Sequence, residues 1–124
     1  LLEVGRARVT AAQTPEQALH ALIEWHTDFA LRHQPLIVVQ DRDWESLPPQ
    51  ARERVRELQR DYVDLWAGQL RDLTGVPLQQ ARAQAHAVFG LLNSTPHSAL
   101  LPEQSMRDLL QEMALAALGV PALV

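Results

Sequence analysis

The stretch His86-Ala87-Val88-Phe89-Gly90-Leu91-Leu92-Asn93-Ser94-Thr95-Pro96-His97-Ser98 decides how this chain is read. Its spacings of three and four put His86, Phe89 and Asn93 on one side of a helix. Imidazole, phenyl ring and carboxamide then share a largely apolar element. An ordinary core helix would use Leu, Val and Ala throughout. The mixture predicts a mostly greasy cavity with a few polar groups to orient a ligand. A second informative stretch, Asp61-Tyr62-Val63-Asp64-Leu65-Trp66, repeats the pattern on another helix.

Along the rest of the chain, helix formers dominate and strand signals are scarce. Leu1 to about Ala12 reads as helix. Thr14-Pro15-Glu16-Gln17 is a helix start, with Thr as N-cap, Pro at the first position and Gln completing a capping box. That helix is expected to run to about His33 and stop before Pro35. Leu36-Ile37-Val38-Val39 is β-branched, but the sequence offers no second strand to pair with it. A short helix or extended connector is therefore expected. Pro49 to Leu73 reads as a long helix with Gly75 past its end. Pro77 to about Asn93 follows, broken by Ser94-Thr95-Pro96. Pro102-Glu103 opens the last helix, closed by Gly119 and Pro121. The expected fold is all-α: five main helices and one short one, forming a single domain over residues 1–124.

Composition bounds the function. A chain of 124 residues with 47% hydrophobic content is an ordinary globular domain. A net charge of −4 argues against its gripping nucleic acid alone, since no basic cluster lacks acidic neighbours. All eleven basic residues are Arg, which points to a GC-rich bacterial source. The absence of Cys removes disulfides, zinc-thiolate sites and thiol nucleophiles. No signal-peptide pattern opens the chain, and no apolar run approaches a membrane span. The chain starts at Leu1 and not Met, so it is expected to be part of a longer protein.

Three helical stripes supply the candidate site. In the second helix, Leu19, Leu22, His26, Phe29 and His33 align, with Trp25 beside His26. His26 and His33 lie roughly 10 Å apart along the axis, too far to ligate one ion. In the long helix, Val55, Leu58, Tyr62, Leu65, Trp66, Gln69 and Leu73 form the expected buried stripe. Tyr62, Trp66 and Gln69 carry polar tips, which suits a cavity better than a dry core. Arg52 to Arg60 reads as a solvated, salt-bridged face. The expected pocket is Trp25, His26, Phe29, Tyr62, Trp66, Gln69, His86, Phe89 and Asn93. No basic residue sits on these stripes, so the expected ligand is mainly apolar.

No phosphate loop, His-Glu-x-x-His or Gly-x-Ser-x-Gly motif is present, and no cofactor or metal is called for. A helical enzyme or metal protein using His26, His86 or His97 is the alternative. A dimerisation module without a cavity is another. The last helix is apolar nearly all round, which predicts a homodimer through it and the Pro77–Asn93 helix. Leu109, Leu110, Met113 and Ala117 are the expected interface residues, with Leu91 and Leu92.

Tyr62-Val63-Asp64-Leu65-Trp66 and Val88 to Ser98 resemble the C-terminal regulatory domain of bacterial tetracycline-repressor-type transcription regulators, in an actinobacterial-style subgroup. The resemblance runs helix for helix along the chain. It implies a cytoplasmic, non-enzymatic regulator that binds a small effector between its helices and dimerises through its last two. It also implies an N-terminal helix-turn-helix domain, absent from this chain, that would contact operator DNA.

Overall fold

The computed structural model describes residues 1–43, 46–94, 98 and 100–123, with side chains outside 33–43. Among these residues there are five α-helices and no strand: α1 (Leu2–Ala11), α2 (Pro15–Asp43), α3 (Pro49–Thr74), α4 (Leu78–Ser94) and α5 (Glu103–Leu118). The all-α expectation holds. The sixth, short helix does not exist as a separate element. Leu36–Val39 lies inside α2, which passes Pro35 instead of stopping at His33. A proline lacks the N–H for one ladder bond. Residues beyond it can resume the ladder, so a long helix can survive one proline.

The helix ends follow local chemistry. Thr14 Oγ1 accepts from the Gln17 N–H at 3.1 Å, and Gln17 Oε1 accepts from the Gln13 N–H at 2.9 Å. This is a capping box displaced by one residue at its return bond. Gly75 and Gly119 end α3 and α5 in the left-handed region, at φ 74° and 69°, where a Cβ is disfavoured.

Helix α2 packs against all four others and α3 lies against α4. Its buried residues Leu19, Leu22, Ile23, His26, Thr27, Ala30 and Leu31 follow a helical period. Tyr62, Val63, Trp66, Ala67 and Leu70 of α3 face them, with Ala81, Ala85, Val88 and Leu92 of α4. The expected α3 stripe starts too early: Leu58 is exposed and Val55 only half-buried. The buried part of α3 begins at Tyr62.

Helix α1 docks through Gly5. A Cβ there would stand 3.0 Å from Leu65 Cδ2, 3.3 Å from Tyr62 Cε1 and 3.4 Å from Leu22 Cδ2. The missing side chain is what lets α1 approach both α2 and α3. Arg107 of α5 forms an ion pair with Asp28 of α2, mostly shielded from solvent.

Helix α5 is two-sided. Met106, Leu110, Ala114 and Leu118 repeat every four residues and enter the protomer's own core. Leu109, Met113, Ala116 and Ala117 remain exposed, Leu109 and Met113 at 40% and 46%. Two of the expected interface residues therefore face inward: Leu110 at 2% exposure and Leu92 at 0%. They already fill the core between α4 and α5. Leu91 is half-buried. On α4, Ala83, Ala87 and Gly90 are exposed at spacings of four and three. No helix among the described residues is long and apolar enough to cross a membrane.

Candidate functional site

The candidate site is built around one imidazole. His26 lies on the core face of α2, between Leu22 and Ala30, where helical periodicity would place an aliphatic residue. It is buried at 3% exposure. A polar ring taken out of water needs partners for both nitrogens, and both have them. Nε2 is 3.0 Å from Asn93 Oδ1 and Nδ1 is 2.9 Å from the Tyr62 hydroxyl. An amide oxygen only accepts, so Nε2 carries the proton. Nδ1 then accepts from the Tyr62 O–H. The triad joins α2, α3 and α4 through side chains alone.

Burial sets the electrostatics. Desolvation lowers the His26 pKa to about 4, and the bond to Asn93 opposes the fall. The ring is therefore neutral at pH 7. Burial also raises the Tyr62 phenol above its ordinary value, with the nearby Trp66 indole tempering the rise. Yet Trp66 Nε1 itself, fully buried, has no hydrogen-bond partner. The indole N–H thus influences the phenol without reaching hydrogen-bond geometry.

Rings enclose the triad. His26, Tyr62 and Phe89 lie nearly parallel, with interplanar angles of 8° to 27° and centroids 5.2 to 5.8 Å apart. Trp66 stands nearly perpendicular to all three, with centroids at 5.0 to 6.1 Å. Edge-to-face and offset contacts of this kind add roughly 0.5–1.5 kcal/mol per pair beyond burial. Trp66 is sealed in the core, while Phe89 and Asn93 remain partly exposed at one side of the cluster.

The structure thus gathers five of the nine expected pocket residues: His26, Tyr62, Trp66, Phe89 and Asn93. Trp25 and Phe29 form a separate edge-to-face pair with centroids 6.0 Å apart, and the Trp25 indole donates to the Leu1 carbonyl at 3.2 Å. Gln69 is half-buried on α3, one turn beyond Trp66. His86 is exposed, touching the cluster only edge-on through Phe89 at 6.1 Å. It lines a different feature, an open groove of about 390 Å³ between α3 and α4. Sequence reasoning missed that groove because it treated Arg52–Arg60 as solvated face only. The side chain of His33 and all of His97 lie outside the described residues. Among the described residues, no three His, Asp or Glu side chains are placed to hold a metal ion.

Residues 12–97 match the family model described as the tetracycline repressor-like C-terminal domain. The chain belongs to this family. The matched region of this tetracycline repressor-like domain contains α2, α3 and α4, and with them every member of the His26 cluster. A search of curated proteins finds no match. Membership makes the chain a regulatory domain of the ligand-binding and dimerising type.

Proposed function

We propose that this domain is the effector-binding and dimerisation part of a one-component transcription regulator, a repressor released from DNA by a mainly apolar small molecule. The His26–Tyr62–Asn93 triad inside its ring cluster is the observation that carries the reading. Three polar tips from three helices converge within an otherwise apolar packing, which is how small-molecule sites combine affinity with orientation. The neutral imidazole offers a cationic ligand no repulsion and an anionic ligand no charge. A neutral ring-containing molecule reaching Phe89 and Asn93 from their exposed side fits best.

The packing supports a route outward. Tyr62, which bonds His26, also lies against Gly5 of α1. A ligand that shifts Tyr62 displaces the neighbour on which α1 rests. In this reading α1 leads to a helix-turn-helix domain outside the chain, which alone contacts operator DNA. The exposed Leu109, Met113 and Ala117 of α5, with Leu91 of α4, form the two-fold contact. Residues 1–124 act as one domain, the setting is the cytoplasm, and no catalysis is assigned. The enzymatic alternative is weakened because His26 has both nitrogens engaged and His86 stands apart from it.

Tryptophan emission tests the effector reading. In a chain with Trp25→Phe and Trp44→Phe, Trp66 is the remaining reporter. Titration with a library of neutral aromatic and alicyclic compounds is expected to yield saturable emission changes that Phe89→Ala abolishes. A library without any saturable response would favour a purely structural dimerisation module.

A further inference from the structure

The groove between α3 and α4 shares no lining residue with the buried triad and has its own chemistry. Arg56, Gln59, Arg60, Val63 and Asp64 line it from α3, and Arg82 and His86 from α4. The α3 residues fall at spacings of three and four and the α4 pair at four, so each set shares one helix face. Three guanidinium groups and an imidazole thus face a single lining carboxylate, in a chain whose net charge is −4.

That carboxylate has a definite task. Asp64 accepts from Arg82 Nε at 2.7 Å and Nη2 at 3.1 Å, a fork that holds the guanidinium across the groove. The fork engages two of the five N–H donors that Arg82 carries. At the far rim Glu53 bonds Arg60 at 3.1 Å and lies 3.8 Å from Arg56. The two carboxylates therefore sit at the ends, and the middle is left to Gln59, Val63 and His86. Val63, only 5% exposed, gives an apolar floor. One turn beyond His86, Gly90 leaves open space where any other residue would project a side chain.

We propose that this groove is a second ligand site, separate from the effector cluster, that takes a small oxyanion (a carboxylate or phosphate group) carried on a short apolar body. The oxyanion would sit between Arg60 and His86 with Arg82 behind it, and the apolar portion on Val63. Binding displaces part of the Glu53 contact with Arg60, so affinity is modest and falls as salt rises. The His86 ring, edge-on to Phe89 at 6.1 Å, links an occupant of the groove to the aromatic cluster.

The test is nuclear magnetic resonance of the chain titrated separately with inorganic phosphate and with acetate, ionic strength being held constant with chloride. The Arg82 Nε–H, the His86 ring and the Phe89 ring are the reporters. Saturable movement of all three with either anion is expected. Arg60→Gln and His86→Gln, both at exposed positions, should each weaken binding by roughly tenfold, the usual worth of one charge-assisted hydrogen bond. Unchanged melting temperatures confirm that the variants fold. Shifts that stay linear, that chloride reproduces, or that both variants leave intact would overturn the proposal.

Discussion

His26 concentrates the physics of the domain in one side chain. Its folded pKa of about 4 lies below the ordinary 6.5, so between these values the unfolded chain binds the proton that the folded chain refuses. Stability is therefore complete above pH 6.5 and is lost as pH falls toward 4. Each pKa unit is worth about 1.4 kcal/mol. At pH 5, inside this window, the neutral ring should have forfeited about 2 kcal/mol relative to pH 7. Urea unfolding at pH 7 and pH 5 should show this loss in the unaltered chain and a much smaller one in His26→Gln. Equal losses would mean that other groups carry the acid sensitivity. At this scale the sequence was partly legible. Helical spacing put His26, Tyr62 and Asn93 on inward stripes, and the three side chains meet. It treated His86 like Asn93, which lies almost directly along the axis from it, seven residues on. Periodicity reports the angle around a helix, not which neighbour covers each turn. Over Asn93 lies His26 of α2, while beside His86 runs the arginine-bearing face of α3.

Among the elements, α1 is held by shape more than by polar contacts. Gly5 seats it against Leu22, Tyr62 and Leu65, and its Arg6–Asp61 ion pair is exposed at 3.8 Å, a kind worth at most about 1 kcal/mol. Gly5→Leu should therefore destabilise the domain by about 1–3 kcal/mol through overpacking, despite the better helix propensity of Leu. It should also alter the environment of Tyr62. Chemical denaturation and the Tyr62 ring resonances are the checks; an unaltered Tyr62 signal would remove α1 from the proposed route of transmission. Helix identities were readable because proline, glycine and the Thr14 cap punctuate the chain. The extent of α2 was not, because Pro35 is a local signal and the surrounding ladder outweighed it. The apolar circumference of α5 was visible too. Its division into an inner stripe and an outer face depends on where α2 and α4 press against it.

For the whole molecule, the exposed face of α5 is the feature a lone protomer leaves uncovered. Leu109 and Met113, with Ala116 and Ala117 permitting close approach, flank the helix's core stripe. A two-fold contact here would join α4 and α5 of both protomers into an intermolecular four-helix bundle. It should bury more than about 1,200 Å², the lower bound for a stable interface. Sedimentation should give a dimer, about twice 13.9 kDa, and Met113→Arg should convert it to monomer or aggregate by placing an unpaired charge in the contact. A dimer untouched by that change would put the interface on another face.

An effector held within the His26 cluster would be found by locating the bound molecule. With a compound from the tryptophan screen at saturation, intermolecular nuclear Overhauser contacts should join it to the Phe89 ring, the Tyr62 ring and the Asn93 side-chain amide. Contacts confined instead to Val63 and His86, or to Leu109 and Met113, would put the effector site outside the His26 cluster.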